Sequence, residues 1–374
     1  MLHLHTNELN MQTEKPSYRF SVRGWPRRRQ WAALVALSLL FIGVLEWLHI
    51  PAAMLLGAMG AAILVAAHEG TIAAPAKPYV LAQGLVACLI ARTVTPDILL
   101  TMVRQWPVFL FSVVSVIACS TGLGGLLARW KVLPGTTAVW GSAPGAATVM
   151  VLMGEAYGAD ARLVAFMQFL RVVLVALTAS MVARLWGLHP GAPGAQSVAW
   201  FAPVDPVALG GTLALAVAGS LLGARSKIPA GALLVPMFVG IVLSGTHALT
   251  IVLPPPLMAC CYTVIGWAIG LRFTREVLNY AAHALPRVIA GIFSLIALCG
   301  ALACILHWLT GADALTAYLA TSPGGADSVA VIAAATKVDM PFVMAMQVAR
   351  FLLVMAIGPT MARFVARWVE RSGK

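Results

Sequence analysis

Residues Ser142–Arg171 read SAPGAATVMVLMGEAYGADARLVAFMQFLR, and Thr321–Arg350 read TSPGGADSVAVIAAATKVDMPFVMAMQVAR. Both stretches open on a Pro-Gly pair, Pro144-Gly145 and Pro323-Gly324, and continue to an aspartate, Asp160 and Asp339. Both close on Gln-x-x-Arg, Gln168 to Arg171 and Gln347 to Arg350, and every matched pair is 179 residues apart. Upstream, IPAAMLLGAMG from Ile50 has its counterpart in IPAGALLVPMFVG from Ile228, at an offset of 178. A constant offset through polar and helix-breaking identities, set in an apolar background, predicts an internal duplication.

That background fixes the class. Hydrophobic residues make up 60% of the 374 positions and charged residues 10%, against roughly 25% charged in a soluble domain. Too little polar surface is left to cover a soluble fold, so the chain reads as an all-α polytopic membrane protein. Apolar segments lie at about 31–48, 52–67, 79–95, 107–128, 138–153 and 162–187, and again at 207–223, 229–249, 255–271, 286–308, 315–335 and 340–366. Several reach the ~20 residues that a crossing helix needs. GLHPGAPGAQSVAWFAPVDP, from Gly187 to Pro206, is rich in glycine and proline and reads as the connection between halves. The expected organisation is a basic cytoplasmic tail at 1–30, a first membrane repeat at 31–187, a linker at 188–206, a second repeat at 207–366 and a short tail at 367–374.

The net charge of +12 sits in short clusters between apolar runs, where it anchors a cytoplasmic face; no direct contact with nucleic acid is expected. The first thirty residues end in RGWPRRRQ and carry no small-residue cleavage site, as expected of a tail left in the cytoplasm rather than a signal peptide. If all twelve segments cross, Arg225, Lys227, Arg272, Arg275 and Arg287 fall outside, against the positive-inside preference. If segments five and eleven instead enter and return, each half crosses five times and the halves are inverted. The cytoplasmic side then collects these residues with Arg23, Arg27 to Arg29, Lys77, Arg129, Lys131, Arg363, Arg367, Arg371 and Lys374, and the opposite side keeps Arg92, Arg104 and Arg184. Proline lacks an amide donor and interrupts a helix, and irregular backbone survives in a bilayer only where protein or a wet cavity satisfies it. Paired interrupted segments in an inverted repeat point to a transport site.

The polar residues of these segments form the candidate substrate site. Arg171 and Arg350 lie well inside apolar segments, where a charge costs ~2.5–3.5 kcal/mol on insertion scales and requires a partner or water. Gln168 and Gln347 share their helical faces. Two roles fit each arginine: donating to carbonyls freed by the break, or binding a carboxylate or other anion. Helices restarting after Gly145 and Gly324 would offer free amides to an anion, with Gly325 adjoining the second break. Ser142, Thr148, Thr321, Ser322 and Ser328 add hydroxyls. Asp327 stands where the first half has Thr148, and is expected either to pair with Arg350 or to titrate as a coupling site for H+ or Na+. Asp160 and Asp339 each precede a helix and are expected to cap it. The six cysteines read as small packing residues, and the eight histidines are scattered without ligand spacing, so no metal, cofactor or catalytic residue is expected.

The doubled Ser-x-Pro-Gly or Ser-Pro-Gly-Gly, the turn ending in aspartate and the Gln-x-x-Arg together resemble the AbrB-type membrane protein family and its duplicated domain, over about residues 31–366. The second copy is the closer match; the first departs at Ala146 and Thr148. Members of that family are labelled ammonia monooxygenases or regulators of gene expression, and the residues of this chain support neither label directly. The reading expected from the residues is a bacterial inner-membrane secondary transporter of a small organic anion, with its N-terminus in the cytoplasm. Its partners would be the bilayer, the solute and a coupling ion, and a homo-oligomer is left open. A membrane sensor acting indirectly on expression is the alternative, and a monooxygenase-like subunit a third.

Overall fold

The computed structural model describes residues 21–50, 52–92, 106–130, 136–143, 150–151, 154–155, 157–187, 200, 203–226, 228, 231–282 and 284–372. Among these there are fourteen helices and no strand: α1 (Arg27–Trp47), α2 (Ala53–Ala67), α3 (Ala76–Ala91), α4 (Trp106–Arg129), α5 (Thr137–Ser142), α6 (Ala161–Gly187), α7 (Pro206–Arg225), α8 (Gly231–Gly245), α9 (Pro255–Gly270), α10 (Arg275–Ala281), α11 (Leu285–Thr310), α12 (Ala314–Thr321), α13 (Ala326–Ala334) and α14 (Met340–Ser372). Their ends follow local chemistry. Asp205 accepts from the Val207 amide ahead of Pro206 at the start of α7, and Asp313 accepts from Leu315 and Thr316 at the start of α12. Gly311 closes α11 in the left-handed conformation, at φ 69°.

Five of the helices are long and apolar enough to cross a bilayer: α1, α4, Ala161–Leu185 of α6, α7 and α11. A sixth candidate is the α9–α10 pair, bent by 52° at the short break between them, a corner that hydropathy does not foretell. Helices α2, α3 and α8 are shorter apolar helices. Large apolar side chains such as Leu39, Leu40, Leu222 and Val242 are exposed, as expected where lipid covers the wall. Exposed tryptophans mark helix ends: Trp47 closes α1, Trp106 opens α4, Trp130 follows it, and Trp308 lies near the end of α11.

The helices form two packed groups. In one, α1 lies on α2 and α7 on α8, while α2 packs against α9 and α8 against α3. In the other, α4 holds α5 and α11 holds α12, with α6 and α14 against these short helices. Small residues set the close approaches. A Cβ built on Gly270 would lie 2.6 Å from the Cβ of Ala62, and one on Gly240 would lie 2.8 Å from that of Ala91. Ala62 and Gly240 are 178 residues apart and Ala91 and Gly270 are 179 apart, so the two contacts are one contact with its sides exchanged.

One end of the bundle collects polar links from distant parts of the chain. The Val22 amide donates to the His68 carbonyl, and Gln30 is bonded to Thr71. Ser21 donates to Glu69, Glu69 pairs with Arg275 at 3.7 Å, and Arg162 pairs with Glu276 at 3.4 Å. The start of α1, the end of α2, the start of α6 and the α9–α10 corner therefore share one face.

Candidate functional site

Helix α12 stops at Thr321, and the chain restarts as α13 at Ala326. Ser322 and Gly325 are extended, at ψ 135° and 141°, and neither Gly324 nor Gly325 has a positive φ. The break therefore comes from proline and extended backbone, not from the free bending that a Pro-Gly pair suggests. What Gly324 supplies is room: a Cβ there would lie 3.0 Å from Val329 and 3.1 Å from Val175. In the first half α5 ends at Ser142, with Ala143 extended beyond it. Pro144, Gly145 and Thr148 lie outside the described residues.

A helix that ends inside protein leaves its last carbonyls without partners and its negative dipole end exposed. The Gln-x-x-Arg motifs answer both. Gln168 donates from Nε2 to the carbonyls of Trp140 and Ala143, each at 2.9 Å. Arg171 donates from Nη1 to Ser142 and Ala143 at 3.2 and 3.0 Å, and from Nη2 to Gln168 Oε1 at 2.7 Å. In the second half Gln347 donates to the carbonyls of Leu319 and Ser322 at 2.7 and 3.2 Å. Arg350 donates to Ser322 at 2.6 Å, to Gly324 at 3.0 Å and to Gln347 Oε1. All four side chains are at most 5% exposed.

A second pair of bonds closes each unit. The Asp160 amide donates to Thr137 Oγ1 and the Asp339 amide to Thr316 Oγ1, both at 3.1 Å. Both aspartates cap the following helix, Asp160 accepting from Arg162 and Leu163, and Asp339 from Phe342. Thr137 and Thr316 were missed in the sequence, although they sit at the same offset of 179 and could have been found by it.

The two units meet. Arg171 and Arg350 lie near enough for their charges to act on one another. Among the described residues neither guanidinium meets a carboxylate, and neither buried Nε–H has an acceptor. Ser142, Ser322, Pro323 and Gly324 are buried beside these groups, and Gly325 is half-buried. Asp327 falls in the first turn of α13 by its backbone, and its side chain lies outside the described residues. The cavity at Arg171, bounded by Gly141, Ser142, Met167 and apolar residues of α4 and α11, holds about 10 Å³. That is one water's worth of space. Among the described residues, little free space adjoins the Arg171 guanidinium.

With this geometry in view, the comparisons with known proteins place the chain. Residues 54–366 match the family described as Transition state regulatory protein AbrB. The chain belongs to the AbrB family. A protein of Escherichia coli (strain K12) named "Putative regulator AbrB" is 42% identical over 343 residues, covering 91% of this chain and 98% of that protein. "Uncharacterized protein YhjN" of Bacillus subtilis (strain 168) is 29% identical over 258 residues, 65% of this chain and 66% of that protein. No solved structure matches. Both arginine units lie within the region that the family covers.

Proposed function

We propose that this AbrB-family chain is an inner-membrane secondary transporter of a small organic anion, built from two inverted repeats that each contribute a broken segment to a central site. The observation that carries the reading is the pair of buried guanidinium groups, each with an Nε–H unaccepted among the described residues and without a described carboxylate. Buried charge is retained where something compensates it. Carbonyl dipoles do part of this, and a bound carboxylate or similar anion completes it. Asp327 is the coupling residue, placed at the start of α13 beside the break that Arg350 spans. With only ~10 Å³ free at Arg171, the anion enters when the two helix groups move apart, as alternating access requires.

Duplication with a two-fold relation is supported by the exchanged Gly270–Ala62 and Gly240–Ala91 contacts and by the bond network recurring at the same offset. Inversion is supported by the face that Arg275 shares with Glu69 and the start of α1. Twelve full crossings would put Arg275 and Glu69 on opposite sides. External labelling of Arg225→Cys and Arg272→Cys tests this, and reaction from outside refutes the inversion.

The functional test is flux in proteoliposomes, guided by thermal shifts across small carboxylates. Uptake that vanishes in Arg171→Gln and Arg350→Gln variants which still insert supports the site; undiminished flux removes it. The name of the Escherichia coli relative and the small space at Arg171 favour one second reading, a membrane sensor that affects expression indirectly. Altered reporter expression without flux, and with the Pro-Gly segments dispensable, selects that reading.

A further inference from the structure

A second recess lies away from the arginine pair. A cavity of about 260 Å³ opens between the start of α6 and the α9–α10 corner, lined by Arg162, Phe166, Phe169, Arg272, Phe273 and Val277 among others. Its floor is apolar and well set: Phe166 and Phe273 are each 3% exposed and meet edge to face at 6.1 Å. The Arg272 guanidinium lies 4.9 Å over the ring of Phe169, a cation–π contact that holds the charge at the wall of the recess. Among the described residues no carboxylate pairs with Arg272. Arg162 pairs only with Glu276, between side chains 66% and 79% exposed, a contact that a stronger acceptor displaces.

The two halves differ sharply here. At the offset of 179, Arg162, Phe166 and Phe169 correspond to Pro341, Ala345 and Val348, and Arg272 and Phe273 correspond to Thr93 and Val94. The repeat keeps Thr, Asp, Gln and Arg where they hold the broken helices, and loses both arginines and all three aromatic rings of this recess. A requirement present on one membrane face and absent on the other explains that loss. We propose that the recess binds the phosphate headgroup of an acidic phospholipid of the cytoplasmic leaflet, with Arg162 and Arg272 on the phosphate and the aromatic floor under the glycerol and first acyl carbons. Arg162 stands in the first turn of a span and Arg272 at the end of another, the depth at which headgroups lie, and basic pockets between helices on the cytoplasmic side suit anionic lipid. The leaflet rests on the inverted topology; the site does not depend on transport.

The test uses the full chain purified in neutral detergent, titrated with phosphatidylglycerol, phosphatidylcholine or soluble glycerol phosphate. Retained lipid is counted by native mass spectrometry, and the melting temperature is followed in parallel. Phosphatidylglycerol is expected to stay bound at one molecule per chain and to raise the melting temperature, while the other two do neither. The double variant Arg162→Gln/Arg272→Gln weakens that binding by about tenfold or more. Arg225→Gln, on the same face but outside the recess, leaves it unchanged. Arg272→Lys, which keeps the charge but not the planar guanidinium, falls between. Equal binding of phosphatidylcholine, an equal response to glycerol phosphate, or a loss in Arg225→Gln matching that of the double variant overturns the proposal. So does phosphatidylglycerol binding that survives the double variant.

Discussion

The two arginine units are built on one plan and used differently. In the first, Arg171 gives both Nη1 hydrogens to neighbouring carbonyls, Ser142 and Ala143, on the near side of the break. In the second, Arg350 spans the break, holding Ser322 with Nη1 and Gly324 with Nη2. The first unit keeps a small cavity at its arginine, and the second places an acidic residue, Asp327, where the first has Thr148. The two units thus share a frame and differ in contents. The frame is the helix end and its clamp, and the contents are whatever sits in the break.

The largest expected effect tests which arginine carries more of the fold. Arg350→Ala removes the side-chain donor of the Gly324 carbonyl, one of the two that reach the Ser322 carbonyl, and the donor to Gln347 Oε1. The expected loss is ~3–5 kcal/mol in equilibrium unfolding in mixed micelles, since each buried group left unpaired costs roughly 1–3 kcal/mol. Arg171→Ala should cost less by about 1 kcal/mol, because its bonds to the adjacent Ser142 and Ala143 carbonyls are longer than that of Arg350 to Ser322 and do not reach across the break. Equal losses, or the reverse order, would mean that spanning the break adds nothing.

A smaller difference lies one residue before the break. Gly141 in the first unit corresponds to Ala320 in the second. A Cβ on Gly141 would stand 2.3 Å from Met167 Sδ and 3.1 Å from its Cβ, and Met167 is buried. Gly141→Ala is therefore expected to cost ~1–3 kcal/mol by overpacking, whereas Ala320→Gly costs at most ~1 kcal/mol, mainly in backbone entropy. A neutral Gly141→Ala would show that this wall yields, which in turn would let the cavity beside Arg171 open with little resistance.

Where the halves agree, the effects should agree. Thr137→Val and Thr316→Val each remove the acceptor of one aspartate amide, at the same 3.1 Å. Each should cost ~0.5–1.5 kcal/mol, and the two should match. A marked inequality in the same unfolding assay would mean that the recurrence of these bonds is geometric without being energetic.

The sequence carries the frame because the frame is made of residues that an apolar chain tolerates only for a reason. Arginine inside an apolar run, proline in the middle of a segment and aspartate ahead of a helix are each conspicuous alone, and their repetition at one offset makes them a pattern. Thr137 and Thr316 obey the same offset, but threonine costs little in a helix and so raises no alarm. What the residues could not disclose is where each guanidinium spends its five donors. That depends on the carbonyls of a helix end about thirty residues away in the chain, brought near only by folding. The 52° corner after α9 and the recess beside it were hidden for the same reason. They arise from α6 meeting α9 and α10, and no local periodicity records which helices become neighbours.

The smallest expected effect is at the cap of the first unit. Asp160 accepts from the Tyr280 hydroxyl as well as from its own helix; at the offset of 179 the place of Tyr280 is taken by Thr101. The hydrogen bond to Asp160, reinforced by its negative charge, raises the Tyr280 pKa above the usual tyrosine value. The protonated phenol is thus the form that the fold favours. Its contribution is present below the pKa of an unfolded tyrosine and disappears as pH rises through the raised value. Ultraviolet titration of the native protein should show one tyrosinate forming later than in Asp160→Asn, where the charge is gone, and that late component should be missing altogether from Tyr280→Phe. Because the pair is exposed, folding stability near neutral pH should hardly move in either variant. If Asp160→Asn leaves the late titration in place, the phenol is held by something other than the cap.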